Sequence, residues 1–466
     1  MPSLKISVLA IAFAFPGLAF SQTTQELKAE LEALKNHVKQ LEAMIEKVSA
    51  KADAKAEADS ANVVEVAEFN RIRIKTEAME DQAEASGFKG LKVSGYVDPT
   101  YIYNRNANTS SFVFLNNNSS INGSGESFGY DNTFFGSAML NVEKELDGGT
   151  KMKLSLMPSK STSSGYNFGN LVHEASVSVP LGDLRTRLIA GQIPDWSGYE
   201  YIPSTQNKLI THNLLFDFSA PNFYTGAGLN LIRGKWDLKG MIGNMNSARI
   251  DAAGVKTPGI FYRGDYAKGE FAGFGFAGIH SGFDNDDQFG RLDIVEVDGY
   301  FVRGDMTLQG QLTYGRQAAA AFTGERSSWS GLSGLAAYKI TPRLEGIARF
   351  DYINNRKQGG GVFGATLQTC EDSTTTPPTS YLCGPDGRNG FGPGMVFDGT
   401  SWGVEDSSRG SNRYALSLGV NYALMPGVSL KGEYRVDSAS GNVFLTDKGD
   451  YRRNNHVFGV STVVSF

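Results

Sequence analysis

The chain has 466 residues, a formal net charge of −5, 55 glycines, 29 phenylalanines, 19 tyrosines and two cysteines. Its mean hydropathy of −0.25 excludes a bundle of membrane helices, because no apolar run of about 18 residues occurs beyond the N-terminal segment. The 44 basic and 49 acidic residues give no basic field, so we expect no nucleic-acid partner.

Residues 1–21 have the pattern of a secretory signal peptide. Lys5 supplies the positive start, residues 6–15 form the apolar core, and Ala19-Phe20-Ser21 provides a small-x-small cleavage site. The apolar core is only about ten residues long, too short to span a bilayer. We therefore expect a mature chain that begins near Gln22 outside the cytoplasm, with a retained anchor helix as the alternative.

Residues 22–60 are predicted to form a coiled coil followed by a solvated helical spacer. Apolar residues recur in alternating steps of four and three, and the stripe occupies only the a and d positions, as a coiled-coil seam requires. Three heptads are marginal alone, so this coil would depend on a larger body that brings chains together. A single amphipathic helix packed on its own chain is the alternative. The seam consists of Leu27, Leu31, Leu34, Val38, Leu41, Ile45 and Val48.

Residues 61–90 are predicted to be a helical linker. Its periodicity is weak, although Phe69 and Ile72 fall on one side of a helix over residues 63–85. This helix could lie under the following domain, pack on a neighbouring chain or enter the interior of that domain.

From Leu91 to Phe466 the hydrophobic period is two, which predicts antiparallel strands. The first strand is 91–104, where Pro99 is tolerable at a strand end or bulge. The last is 457–466 and ends on Phe466. An unpaired last strand would be a sticky edge in a soluble protein, but in a closed barrel it pairs with the first. We count about sixteen strands, as in outer-membrane barrels. The others centre near Ala138, Leu154, Val177, Leu188, Gly226, Leu238, Tyr262, Phe274, Gly299, Leu308, Leu335, Ala348, Leu418 and Leu430.

The connections between these strands alternate between short turns and long polar loops. Turn residues such as Asp147-Gly148-Gly149 and Met425-Pro426-Gly427 mark the short ones. An even strand count with long loops at one end is typical of outer-membrane barrels, and a soluble sandwich or propeller does not explain the alternation. The predicted long loops are 105–127, 158–170, 193–218, 245–258, 282–290, 316–327, 354–410 and 438–455.

Charged residues alternate with apolar ones in the clearest strands, 344–352 and 428–437. Because Arg or Lys facing lipid near the midplane costs about 2–4 kcal/mol, the charged set is predicted to face the lumen. A barrel of about sixteen strands is too wide for its own side chains to fill, so the interior should hold water. Any single charge could simply be solvated. The predicted lumen charges are Lys153, Arg185, Arg187, Lys239, Arg263, Arg349, Lys431, Arg435, Asp98, Glu174, Asp237, Asp265, Glu345, Asp351 and Glu433.

These features together resemble a trimeric, sixteen-stranded porin of Gram-negative bacteria. The opening strand Val93-Ser94-Gly95-Tyr96-Val97-Asp98 is similar to that of many porins, and the heptad segment makes the chain similar to the DcaP-like porins. The likeness covers residues 22–466 and rests on architecture. It implies an all-β transmembrane barrel preceded by an α-helical, periplasmic coiled coil, in the outer membrane. It also implies a homotrimer in contact with outer-membrane lipid, with small polar solutes as partners and no cofactor. The final Phe466 resembles the signal read by the barrel-insertion machinery.

In that family the third long loop folds into the lumen and narrows it. Here this loop is 193–218, a segment rich in aromatic and acidic residues, although it holds no exact copy of the usual porin loop motif. A loop acid opposite the wall cations Arg185 and Arg187 would create a transverse field that orients polar solutes. The predicted constriction residues are Asp195, Trp196, Tyr199, Glu200 and Lys208.

Cys370 and Cys383 lie in the longest predicted external loop, with Pro377-Pro378 between them. In an exported protein, two cysteines this close in one polar loop are predicted to form a disulfide. A metal site is not expected, since no histidine lies nearby.

Passive transport of small polar solutes is the leading functional hypothesis, with anions as one candidate class. In this hypothesis the helical segment ties three barrels together and could reach toward peptidoglycan. The alternative is a structural outer-membrane anchor that presents a periplasmic coiled coil. An outer-membrane enzyme would need a histidine beside a nucleophile or acid, and only His173-Glu174 with Ser176 hints at one. We therefore expect that the protein is not an enzyme.

Overall fold

The computed structural model describes residues 39–40, 43–44, 71, 73–75, 89–114, 136–161, 165–167, 171–246, 258–282, 290–363, 369–372, 379–382 and 390–466. The chain divides into two units, Met1–Leu91 and Lys92–Phe466. In the first unit, residues 39–40, 43–44, 71 and 73–75 are helical. The predicted signal peptide, the seam of the predicted coiled coil and most of 63–85 lie outside the described residues. No helix within the described ranges is long and apolar enough to cross a membrane.

The second unit consists mainly of antiparallel strands. One short helix, α1 (Leu214–Ser219), follows the ninth strand, and a 3-10 turn, Lys357–Gly359, follows the seventeenth. The strands in chain order are β1 (Leu91–Val97), β2 (Thr100–Asn104), β3 (Thr109–Val113), β4 (Ala138–Glu145), β5 (Lys151–Leu156), β6 (Ser159–Ser161), β7 (Gly165–Asn167), β8 (Val172–Leu181), β9 (Asp183–Pro194), β10 (Phe223–Arg233), β11 (Trp236–Met245), β12 (Gly259–Ala267), β13 (Ala272–Ser281), β14 (Leu292–Arg303), β15 (Met306–Gln317), β16 (Ser327–Lys339), β17 (Leu344–Asn354), β18 (Thr369–Asp372), β19 (Thr379–Leu382), β20 (Met395–Phe397), β21 (Trp402–Val404), β22 (Arg413–Met425), β23 (Val428–Ala439), β24 (Phe444–Leu445), β25 (Tyr451–Arg452) and β26 (Asn454–Ser465).

One sheet of eighteen segments closes on itself. The last strand, β26, pairs with both β1 and β2, with Val97 opposite Val464 and Tyr101 opposite Val460. The first two barrel strands each consist of two segments, β1 with β2 and β3 with β4, so the segments make a closed barrel of sixteen strands. The predicted strand count and the predicted pairing of the last strand with the first are confirmed.

The connection between the first two barrel strands differs from the prediction. A short turn joins β2 to β3, and the Asn104 side chain accepts hydrogen bonds from the backbone N–H groups of Asn106 and Ala107 at 3.1 and 3.2 Å. Asn108 completes the turn with φ of 50°, a conformation that asparagine tolerates. The prediction of one long loop over 105–127 is therefore wrong, because this asparagine turn closes the hairpin at once. The longer excursion follows β3, and residues 115–135 of it lie outside the described residues.

The barrel has one end with short turns and one end with longer loops. Seven connections of at most five residues, all described, join β4–β5, β8–β9, β10–β11, β12–β13, β14–β15, β16–β17 and β22–β23. Both ends of the barrel chain lie beside them, since the Gly95 N–H donates to Phe466 O at 3.1 Å and the Ser465 N–H donates to Gly427 O at 2.7 Å. At the opposite end the connections include residues 195–222, 355–412 and 440–453.

Alternation assigns an inner and an outer face to each strand. In β23, Leu430 and Tyr434 are 36% and 45% exposed, whereas Lys431 and Arg435 are 4% and 0% exposed. The outer face carries aromatic clusters near both ends. Near the short turns, the Trp236 ring lies 5.0 Å from Tyr266 and 5.8 Å from Phe274. Near the loops lie the ring pairs Tyr262–His280, Tyr352–Tyr414 and Tyr434–His456.

Candidate functional site

Residues 195–222, here called the inserted segment, join β9 to β10 and pack against the inner face of the barrel. The segment ends in α1, whose first turn is capped by Asn213. The Asn213 side chain accepts hydrogen bonds from the N–H groups of Leu215 and Phe216 at 2.9 and 2.8 Å, which satisfies donors left open at a helix start. Leu214, Leu215 and Phe218 of this helix are fully buried.

Two buried arginines of the wall hold the backbone just before α1. Arg349 of β17 donates to the carbonyls of Thr211 and His212 at 2.7 and 2.9 Å, and Arg435 of β23 donates to the His212 carbonyl at 2.7 Å. Carboxylates of the wall and of the inserted segment pair with both arginines, and Glu433 lies 3.9 Å from Arg349 as well. Glu200 and Asp351 pair with Arg349 at 2.8 and 3.2 Å, and Asp437 pairs with Arg435 at 3.0 Å. Buried cations with such partners avoid the penalty of an uncompensated charge.

Further wall side chains bind backbone and side-chain groups of the inserted segment. Glu433 accepts from the N–H groups of Ile210 and Thr211, each at 2.8 Å, and from the Thr211 hydroxyl at 2.6 Å. Lys431 donates to the carbonyls of Ser204 and Asn207, each at 2.6 Å. These bonds attach residues 204–211 to β23.

Three more contacts attach the segment to other strands. Lys208 pairs with Glu345 of β17 at 2.6 Å, and Tyr199 hydrogen-bonds with Ser333 of β16 at 2.5 Å. The Gly198 N–H donates to Glu296 of β14. These polar attachments therefore lie on β14, β16, β17 and β23, while Ile202 packs on Tyr96 of β1 and Met139 of β4 and the Tyr224 hydroxyl of β10 donates to Asp195.

Inward-facing glycines make room for the apolar side chains of the segment. A Cβ atom added at Gly419 would collide with Leu209, and one added at Gly331 would collide with Leu215. A Cβ at Gly459 would lie 3.2 Å from Ile210 Cδ1. The wall is thus shaped to receive this segment as well as charged to bind it.

An outer loop covers α1 from the loop end of the barrel. Phe391, in the connection from β17 to β22, lies 4.6 Å from the Phe218 ring of α1. The Arg413 guanidinium stacks on Phe391 and Phe444 at 4.7 and 4.3 Å from the ring centroids. These cation–π contacts fix the cover over the helix.

Burial shifts the pKa of three groups within the inserted segment. It raises the pKa of the Glu200 carboxyl, against the opposing effect of Arg349. It also raises the pKa of Asp195, against the hydrogen bonds from Ser197 and Tyr224. The same cause lowers the pKa of His212 to about 3, so its imidazole is neutral at physiological pH.

The inserted segment leaves an open space of about 540 Å³ beside the opposite side of the wall. Strands β4, β5, β8, β11 and β12 contribute charged side chains to it. The cationic and acidic groups around the space are Lys153, Lys239, Arg263, Glu143, Glu174, Asp195 and Asp265.

Each cation of this space has an acidic neighbour. Lys153 pairs with Glu174 at 2.8 Å and Lys239 with Asp237 at 3.5 Å. Arg263 pairs with Asp265 at 2.7 Å and also with Asp298. The lining is therefore polar with a nearly balanced charge.

The predicted constriction residues fall into two groups. Asp195 and Trp196 line the open space, and the Trp196 ring packs on Tyr224 at 5.1 Å between centroids. Tyr199, Glu200 and Lys208 instead bind the wall through the contacts described above.

The remaining predicted lumen charges are placed as follows. Arg185 is exposed near the short turns, whereas Arg187 is buried and donates to Ser178 and to the Gly149 carbonyl. Asp98 is buried between β1 and β2. Ser176 donates to Glu174 at 2.7 Å, so in the predicted His173–Glu174–Ser176 group the carboxylate is engaged by Ser176 and by Lys153.

Several site residues escaped the sequence analysis. Glu296 and Asp298 of β14 bind Gly198 and Arg263, and they alternate with Val295, Val297 and Gly299, a pattern that could have revealed them. The role of Thr211 carried no such signal. Cys370 lies in β18 opposite Tyr381 of β19. Cys383 lies outside the described residues, so the disulfide stays a prediction.

A family model described as "Protein of unknown function (DUF3138)" matches residues 59–259 and 264–466. Among curated proteins, no match to the chain is found.

Solved structures of outer-membrane porins are similar to the chain. The outer-membrane channel DcaP of Acinetobacter baumannii shares 12% identity at a TM-score of 0.49, over 81% of this chain and 97% of that one. An anion-selective porin from Comamonas acidovorans shares 11% at 0.48, over 81% and 99%. OmpF of Salmonella typhi, in complex with daunomycin, shares 10% at 0.47, over 81% and 97%. These likenesses, all with TM-scores below 0.5, add nothing to the strand register, which by itself establishes the barrel.

Proposed function

We propose that this chain, which belongs to the DUF3138 family of proteins of unknown function, is an outer-membrane porin. Its water-filled interior would pass small polar solutes by passive diffusion. The observation that carries the proposal is the inserted segment inside the barrel, held by buried charges of β14 to β23, which would narrow the lumen and leave a polar space beside it.

The outer face of the barrel supports a membrane location. Large apolar side chains such as Leu312, Leu418 and Val297 are 56%, 52% and 50% exposed on it. Aromatic clusters near both ends match the girdles that membrane barrels place at the two interfaces. A soluble protein would gain nothing from an apolar surface that extends around a whole barrel.

The size and charge of the open space support a channel of low selectivity. A volume of about 540 Å³ is within the range of sites for small molecules, roughly 300–1,000 Å³. Because Lys153, Lys239 and Arg263 each have an acidic neighbour, we expect anions and cations to pass with similar ease. A strong preference for anions would require these acids to be protonated.

Single-channel recording in planar bilayers tests the proposal. A porin gives stepwise ohmic conductance, whereas the alternative, a plugged barrel that only anchors a periplasmic coiled coil, gives none. In a KCl gradient we expect a reversal potential close to zero. The variants Lys153→Glu and Lys239→Glu should shift it toward cation selectivity. The control Lys268→Glu, in the exposed β12–β13 turn, should not.

We further propose that the protein is a homotrimer with a periplasmic N-terminal extension. The heptads over 27–48 would hold three chains together beneath the membrane. Deleting residues 22–60 tests this idea. The deletion should weaken the trimer on semi-native gels and leave the conductance of each barrel unchanged.

A further inference from the structure

The outer face of β13–β16 carries a cluster of charged residues at the loop end of the barrel. Asp293 of β14 lies opposite Arg316 of β15 and opposite His280 of β13. Its carboxylate accepts from Arg291 and Arg316, each at 3.1 Å, and hydrogen-bonds with His280 at 2.8 Å. The arginine side chains remain 70% and 47% exposed, whereas Asp293 is 13% exposed. Two guanidinium groups are thus held at the surface by one shared acid.

The strand register places an apolar groove directly below this cluster. The first row below the cluster consists of Val295, Tyr314 and Ser330, which lie side by side on β14, β15 and β16. This row lies two residues along the strands from Asp293 and Arg316. Two residues of a strand span about 7 Å. The next row down holds Val297, Leu312, Leu332 and Tyr352. These two rows border a space of about 420 Å³ on the outer surface.

Glycines extend the depression toward the middle of the barrel. Gly299, Gly310 and Gly334 lie side by side in the following row, with Phe274 and Phe350 at its two ends. A Cβ atom at Gly334 would meet nothing within 4 Å, and one at Gly310 only the Ser333 carbonyl at 3.8 Å. The floor is therefore open at Gly310 and Gly334, whereas a Cβ atom at Gly299 would lie 3.2 Å from the Gly273 carbonyl.

We propose that this surface binds an anionic lipid of the outer leaflet, with a phosphate on Arg291 and Arg316 and an acyl chain in the groove below. The two arginines and one acid give the described headgroup site a net positive charge, which complements a phosphate. The groove below is lined mainly by apolar side chains such as Val295, Val297 and Leu312, and the glycine row beneath it carries no side chains. The proposal rests on the membrane location of the proposed function but not on its conductance.

Native mass spectrometry of the detergent-purified protein tests the proposal, with diphosphoryl lipid A as the probe and phosphatidylcholine as the reference lipid. Wild-type protein should retain lipid A adducts in preference to phosphatidylcholine. The double variant Arg291→Gln, Arg316→Gln should lose this preference by about tenfold or more, which corresponds to about 1.4 kcal/mol. Inorganic phosphate should not compete, because it lacks the acyl chain.

A groove-filling variant tests the second half of the site. Gly334→Leu adds a side chain where the structure has space, so folding should be unaffected while lipid A retention falls. Arg233→Gln serves as the control, since Arg233 is exposed at the end of β10, next to the short turns.

Equal retention of both lipids by the wild type would overturn the inference, and so would full retention of lipid A by both test variants. It would also be overturned if Gly334→Leu lost the trimer and kept the lipid, because the groove would then belong to an interface with a second copy of the chain. A protein that retains lipid A but conducts no current would refute the proposed function and leave this site standing.

Discussion

Replacing Arg349 by methionine should release part of the inserted segment from the wall. Arg349 donates to Glu200, to the Thr211 carbonyl and to the His212 carbonyl, and its side chain is fully buried. Removing one member of a buried ion pair costs about 3–5 kcal/mol, because the partner charge stays behind. Here Glu200 and Asp351 would both lose their cation. At about 1.4 kcal/mol per tenfold, the ratio of attached to detached segment falls by roughly two to four orders of magnitude.

The expected result is a wider and noisier channel. In planar bilayers, Arg349→Met should show a larger mean conductance with frequent transitions between levels. In liposome-swelling assays, larger sugars should enter that the wild type excludes. The matched control is Arg187→Met, which also removes a buried inward-facing arginine. Arg187 bonds only to wall groups, Ser178 and the Gly149 carbonyl, so its loss should leave the pore size unchanged.

A folding check separates a detached segment from a lost barrel. Unheated samples of both variants should keep the compact gel mobility of a folded barrel. If Arg349→Met is folded and its conductance and size limit equal those of the wild type, the segment does not narrow the channel in the way we infer.

Three further predictions concern the segment and the outer loop. Gly419→Val should displace Leu209 of the inserted segment from the wall and so increase the single-channel conductance. The control Gly334→Val, on the open outer face, should leave the conductance unchanged. The folded-state pKa of His212, about 3, lies below its unfolded value of about 6.5. Between these values the unfolded chain binds more protons than the folded one, so the stability decreases as the pH is lowered from about 6.5 to about 3. His212→Gln should therefore lose less melting temperature than the wild type between pH 7 and pH 4. Finally, the unreduced, denatured protein should show no free thiol, and Cys370→Ser should expose the thiol of Cys383 to alkylation.

Much of the barrel follows from local sequence pattern. The alternation of Leu430 and Tyr434 with Lys431 and Arg435 assigns the two faces of β23 without knowledge of any neighbour. Short glycine turns between alternating segments indicate the number of strands. These features are readable because each depends on residues close together in the chain.

The deviations arise where distant residues decide. The polar run after Phe114 has the composition of a loop between two strands. The turn at Asn104 already joins β2 to β3, however, so the polar run follows β3 instead of β2. Glu200 was predicted to face the channel with Asp195. The structure places it against the wall because its partner Arg349 lies 149 residues later, and no local pattern connects the two.

The contacts of the inserted segment divide the inside of the barrel into two regions with separate duties. Strands β14 to β23 supply most of the charged groups that hold the segment, and substitutions there would loosen it. Lys153, Lys239 and Asp265 lie around the open space, and their ion pairs join them to other residues of the wall and not to the inserted segment. If the barrel is the channel that we propose, exchanging those few side chains would change which solutes pass and leave the width of the channel as it is.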